Sequence, residues 1–271
     1  MLLARVATAA LLLAVFLAAN FLLARPHFAV LMTLVIAAAA YEWAKLCRLA
    51  GAAALAYSAL VGGLLVTLML ALLPGDGARG AANAVMIAAG LFWMVVAPVW
   101  LWRGVAAQPR ALLAAAGIAV LVPAGLAAVA LPPADLLALL GLVWLADSAA
   151  YFAGRAFGRR KLAPTISPGK TWAGVWGAVL ATSAYAIICA VSIPTLASRI
   201  EGRGWVAYVS GAVLLCLVSI VGDLFESALK RQAGVKDSGR LLPGHGGILD
   251  RIDSATATLP VGALLLHWIL I

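Results

Sequence analysis

Ser227–Asp253, SALKRQAGVKDSGRLLPGHGGILDRID, separates two runs so apolar that a membrane is their natural solvent. It collects Lys230, Arg231, Lys236 and Arg240 before Pro243, then Gly244-His245-Gly246-Gly247, then Asp250, Arg251 and Asp253. Just upstream, Asp223 and Glu226 are three residues apart, which on a helix places both on one face near its end. Acids and bases therefore converge on one membrane boundary, where any chemistry is expected.

Outward from that stretch the chain is overwhelmingly apolar. Of 271 residues, 65% are hydrophobic and 11% are charged, about half the charged fraction of a soluble domain. About nine apolar spans follow, at 2–24, 27–46, 52–73, 84–102, 111–131, 134–150, 172–194, 204–226 and 255–271. Arg25-Pro26, Pro74-Gly75-Asp76-Gly77, Pro109-Arg110 and Pro132-Pro133 punctuate them with turn-forming residues. The fold class is an all-α polytopic membrane protein, with Met1–Asn20 read as a signal-anchor helix in preference to a cleaved signal peptide.

Counted by alternate loops, fifteen Lys and Arg fall on one side and Arg25, Arg79, Arg199 and Arg203 on the other, which recovers all 19. The positive-inside rule then places the N-terminus and both long polar loops, 151–171 and 227–254, in the cytoplasm. The formal charge of +9 suits anionic headgroups or phosphorylated substrates. Nucleic acid is excluded as a partner, because the basic residues are scattered among membrane loops and form no patch on a soluble domain. Cys47, Cys189 and Cys216 show no paired spacing and read as reduced packing residues.

The carboxylates carry the sharpest signal. Asp147 in GLVWLADSAAYF and Asp223 in SIVGDLFESALK each end an apolar span, where an unpartnered carboxylate is costly. Two readings stand. Asp223 and Asp250, with Asp147 nearby, form a divalent-metal site completed by waters and phosphates, or they pair with Lys230, Arg251 or Arg155 as structural bridges. Glu226 leans to a simple helical pair with Lys230, four residues on.

Gly169-Lys170-Thr171 resembles the tail of a phosphate-binding P-loop, but Pro164 stands where that motif needs glycine. Ser167-Pro168-Gly169 then leads into a helix beginning near Lys170, offering amides, a hydroxyl and an ammonium to an anion, or Ser167 is only its N-cap. His245, among three glycines, is a candidate for phosphate contact or proton transfer, with a polar turn as the alternative. The nine Trp, among them Trp100, Trp102, Trp172 and Trp205, read as interfacial anchors.

These residues also form a pattern. Ser227-Ala228-Leu229-Lys230-Arg231, Lys236-Asp237-Ser238-Gly239, Pro243-Gly244-His245-Gly246-Gly247 and Leu249-Asp250-Arg251-Ile252-Asp253 resemble the C-terminal signature of the phosphatidate cytidylyltransferase, or CDP-diglyceride synthase, family. The match continues through Gly222-Asp223-Leu224, Ala146-Asp147-Ser148 and Ser167-Pro168-Gly169-Lys170-Thr171-Trp172, with Ala173 departing from the Glu or Gln usual there. The resemblance covers roughly the C-terminal half by motif, giving an expected division into helices 1–135 and a catalytic region 136–271.

The resemblance implies a Mg²⁺-dependent reaction of CTP with phosphatidate, giving CDP-diacylglycerol and pyrophosphate. A second cation and a homodimer are allowed by it, and the implied location is a bacterial cytoplasmic, or inner, membrane with the site facing the cytoplasm. On this basis Asp223 and Asp250 hold the metal, with Asp147 a further candidate. Lys230, Arg231, His245 and Arg251 contact phosphates. Ser167, Lys170 and Thr171, with Lys236, Asp237, Gly246 and Gly247, help to hold nucleotide or headgroup. The rival reading is an ion-coupled transporter using the membrane-edge Asp, Lys and His residues as a relay. Against it, the acids gather at one face and no paired broken helices occur.

Overall fold

The computed structural model describes residues 2–73, 79–104, 108–193, 200, 202, 204–241 and 246–269. Each expected span coincides with a helix: α1 Leu2–Leu22, α2 Arg25–Leu46, α3 Ala52–Leu72, α4 Arg79–Trp102, α5 Arg110–Ala130, α6 Pro133–Phe157, α7 Trp172–Ser192, α8 Gly204–Ala233 and α9 Leu249–Ile269. Among the described residues seven of these, α2 to α8, are long and apolar enough to cross a membrane. Leu and Ala-rich runs with few polar side chains satisfy their backbone internally, the requirement for life in lipid. The protein is a multi-pass, all-α membrane protein.

Proline marks the starts and one irregularity. Pro26 and Pro133 stand at the openings of α2 and α6, where a missing N–H costs nothing. In α4, Phe92–Val96 widens into a π turn immediately before Pro98, whose ring cannot fit a regular α ladder.

α5 is the buried centre, with Leu113, Val120, Leu121, Leu126 and Ala127 among its enclosed side chains. It packs on α2, α3 and α9, while α6 lies along α7, and α8 along α9 and α7. Trp43 on α2 donates its indole N–H to Leu113 O at 2.9 Å, and the Tyr57 hydroxyl on α3 donates to Ala114 O at 2.7 Å, so polar bonds tie this layer as well as packing. At one end Asn20 Nδ2 donates to Pro133 O at 2.9 Å, and Arg25 reaches Leu131 O, which brings the ends of α1 and α5 to the starts of α2 and α6. The opposite end carries the polar residues.

Three expectations change at that polar end. α6 continues to Phe157 and α8 to Ala233, past the expected ends at 150 and 226, so Asp147, Asp223 and Lys230 belong to helix bodies. The segment before α7 is an antiparallel hairpin, β1 Lys161–Ala163 with β2 Ser167–Thr171, pairing Lys161 with Thr171 and Ala163 with Ser167 across an irregularity. α7 therefore begins at Trp172, and its N-cap is Thr171, whose Oγ1 accepts the Gly174 N–H at 3.1 Å; Ser167 lies in a strand and caps nothing.

The tryptophans divide. Trp102 is exposed as an interfacial anchor would be, but Trp43 and Trp93 are buried. Both pack with Phe92 and Trp100 around Phe225 of α8, at centroid distances of 5.3 to 6.4 Å. Cys47 and Cys216 are buried and Cys189 half-buried, all three as free thiols, as their spacing suggested.

Candidate active site

At the polar end, α6, the hairpin, α7, α8 and α9 enclose a cavity of about 690 Å³. Asp147, Asp223, Asp250 and Asp253 line it, facing Arg155, Lys161 and Lys170. Of the sequence candidates, Asp147, Asp223, Asp250, Ser167, Lys170 and Thr171 are thus gathered in one place. They come from four elements separated by up to about a hundred residues, which no local pattern dictates.

Each is placed by its backbone. Asp147 stands on α6 with Ala146 buried beside it, and Asp223 on α8 with Leu224 and Phe225 buried beside it, so the apolar neighbours fix which face the carboxylate presents. α8 and α9 meet closely here: a Cβ on Gly222 would fall 2.8 Å from Asp253 O and 2.9 Å from Ala257 Cβ. Hairpin β1–β2 carries Lys170 over the cavity, where its Nζ meets Asp223 Oδ2 at 2.6 Å. Ser227 adds a longer bond, its hydroxyl donating to Asp223 Oδ1 at 3.3 Å.

Asp250 is held more firmly. Lys230 Nζ lies 2.7 Å from its Oδ1 and 2.9 Å from Glu226 Oε2, so one ammonium serves two carboxylates. The N–H groups of Gly247, at 2.8 Å, and Ser238, at 3.0 Å, donate to Oδ2. The first of these bonds resembles the acid half of a capping box at the start of α9. Gly246 takes φ +80, and its missing side chain leaves room for Asp250 Oδ2, which a Cβ would approach to 2.6 Å. Burial alone would raise the Asp250 carboxyl, but Lys230 and the Gly247 and Ser238 amides hold it below the ordinary carboxylate range.

The other candidates lie elsewhere. Arg231 donates to Ile166 O and Val235 O, both at 3.2 Å, which joins α8 to the hairpin turn and to its own following loop. Lys236, Asp237 and Arg251 are exposed and do not line the cavity. His245 lies outside the described residues. The Glu226–Lys230 pair forms as its spacing indicated.

One residue escaped the sequence reading. Glu42 on α2 is 1% exposed, yet it accepts hydrogen bonds from the Ser238 hydroxyl at 3.1 Å and from the N–H groups of Ile248 at 3.2 Å and Leu249 at 2.9 Å. It is the first acidic residue in the chain and lies in an apolar span, the same cue that singled out Asp147.

As donors the cavity offers hard carboxylate oxygens. Among the described residues no three His, Cys, Asp or Glu side chains are grouped as a complete metal cage. Mg²⁺ is ordinarily held by one or two carboxylates, with water and phosphate supplying its other ligands. The donor set fits that ion, and the ammonium of Lys170 already occupies a cationic position against Asp223.

Comparison with known proteins shows the family of the chain. The family model described as "Cytidylyltransferase family" matches residues 3–269. A Pseudomonas aeruginosa protein named phosphatidate cytidylyltransferase is 42% identical over 279 aligned residues, spanning 97% of this chain and 96% of that one. Proteins of the same name from Haemophilus influenzae and Staphylococcus epidermidis are 52% and 45% identical over 120 and 128 residues, covering 44% and 46% of this chain and 41% and 46% of theirs. By a match that runs almost end to end, the chain belongs to the cytidylyltransferase family.

Proposed function

We propose that this protein transfers the cytidylyl group of CTP to phosphatidate, forming CDP-diacylglycerol and releasing pyrophosphate. The observation that carries the reading is the cavity itself: four carboxylates facing three cationic side chains at one end of a membrane helix bundle, in a chain of this family. Both substrates are polyanions, one arriving from water and one from the bilayer, and such a boundary cavity is open to both.

A phosphate oxygen of phosphatidate attacks the α-phosphorus of CTP, a new phosphorus–oxygen bond forms, and the α–β bridge breaks with its electron pair leaving on pyrophosphate. Asp223 and Asp250, with Asp147, are the residues that would hold Mg²⁺, and the bound ion would neutralise phosphate charge and help the leaving group depart. Lys170 exchanges its bond to Asp223 for a phosphate oxygen as substrate enters. Arg155 and Lys161 line the same wall and orient the triphosphate, while Lys230 keeps Asp250 ionised and aimed. Catalysis rests on positioning and charge neutralisation, with no covalent intermediate on the protein.

The basic loops and the cavity share one end, and the excess of Lys and Arg there supports a cytoplasmic site in a bacterial inner membrane. The nine helices among the described residues are read as nine crossings, with 136–271 supplying the lining of the cavity and 1–135 its support. A homodimer stays part of the proposal through the family alone. The transporter alternative is set aside: the family is a transferase family, and the acids gather at one end of the bundle where a relay needs them along its depth.

The test is pyrophosphate release by purified protein in detergent, given CTP and phosphatidate with and without Mg²⁺. Release that requires all three, and is lost in Asp223→Asn and Asp250→Asn, is expected. Release from CTP without phosphatidate, or full turnover in both variants at saturating Mg²⁺, would overturn the reaction or the metal assignment respectively.

A further inference from the structure

Resting on the reaction proposed above, we propose that Glu42 is a positioning residue for it: from α2, its carboxylate ties Ser238 to the start of α9 at Ile248 and Leu249, so that Asp250 faces the cavity. Ser238 follows α8 by a few residues and Ile248 and Leu249 open α9, and Glu42 holds both places at once. Asp250 holds the same two places from the other side, through the N–H groups of Ser238 and Gly247. These two places and the acid are therefore one unit: a shift of Ser238 or of Gly247 moves Asp250, whose Oδ1 is paired with Lys230.

The chemistry of the clamp is specific to an anion. Ile248 and Leu249 present the first free N–H groups of α9, where the helix dipole favours negative charge. The backbone comes so close that a Cβ on Gly239 or Gly247 would collide with the Glu42 carboxylate oxygens. Glutamine has the same size, but its NH₂ would oppose a backbone N–H or the Ser238 hydroxyl whichever way the amide turns. Glu42 is not among the residues that line the cavity, so it acts through Asp250.

Glu42→Gln separates positioning from bulk stability. Expected is a fall in kcat of about tenfold or more, the size typical when a group that orients a ligand is removed. KM for CTP changes less than about threefold, since the loss falls on the transition state. The thermal midpoint in detergent stays within a few degrees, Glu42→Asp recovers part of the turnover, and amide exchange rises at Ser238 and at residues 246–250. Turnover equal to wild type in folded Glu42→Gln, a change in KM only, or a loss matching the unfolded fraction would overturn the proposal. If Glu42→Gln does not fold, Ser238→Ala removes one of the three partners, and unchanged kcat in that variant overturns the proposal equally. Absence of pyrophosphate release from the wild-type protein would instead sink the reaction, and exchange at 246–250 would still decide the clamp.

Discussion

Lys230 is the most exacting single residue in the cluster. Its side chain is 11% exposed, and its ammonium serves the carboxylates of Glu226 and Asp250, whose side chains are 3% and 6% exposed. Lys230→Met leaves two buried acids without their cation, at a cost of about 3–5 kcal/mol, read as a lowered thermal midpoint in detergent; Lys230→Arg keeps the charge and loses less. Thr171→Val removes the N-cap of α7 at a cost of about 1 kcal/mol, whereas Ser167→Ala leaves that helix end unchanged, because only Thr171 accepts the Gly174 N–H. At this scale legibility follows sequence distance. Glu226 and Lys230 are four apart and their pairing was readable. Lys230 meets Asp250 across a loop and Ser238 meets Glu42 across 196 residues, and no spacing rule reaches that far.

At the scale of elements, hydropathy is a local property that the apolar runs display plainly, so the helical runs and their order among the described residues were readable, while their ends were not. α6 and α8 carry on beyond the apolar limit because Arg155 and Lys230 extend from a helix into the polar region as readily as from a loop. Hairpin β1–β2 was hidden by its shortness and by Pro164 and Pro168, which argue for a loop when read without the partner strand. The close approach of α8 and α9 makes a direct comparison. Gly222→Ala forces its new methyl against Asp253 O and Ala257, and is expected to destabilise by about 1–3 kcal/mol. Gly169→Ala, on β2, has nothing within 4 Å of its new methyl, and its melting curve should overlay wild type.

For the whole molecule, the two ends of the bundle differ in kind: one carries Asn20, Arg25 and Leu131, the other the charged cavity. With Cys47, Cys189 and Cys216 replaced, Arg159→Cys on the exposed hairpin approach and Ala134→Cys at the exposed start of α6 should label from opposite faces of the membrane. An impermeant maleimide added to intact cells should reach position 134 alone; labelling at 159 under those conditions would invert the proposed orientation. The gathering of Asp147, Lys170, Asp223 and Asp250 was legible as a shared boundary, whereas the reach of α2 into it was not, since only packing brings Glu42 there. That reach also sets an order of events at the ribosome. Glu42 and Leu249 are 207 positions apart, so as the chain is made, α2 inserts long before its hydrogen-bond donors exist. Until α9 is made, the Glu42 carboxylate lacks its Ile248 and Leu249 donors. The contact that ties the first turn of α9 to α2 therefore forms only after nearly the whole chain has been made.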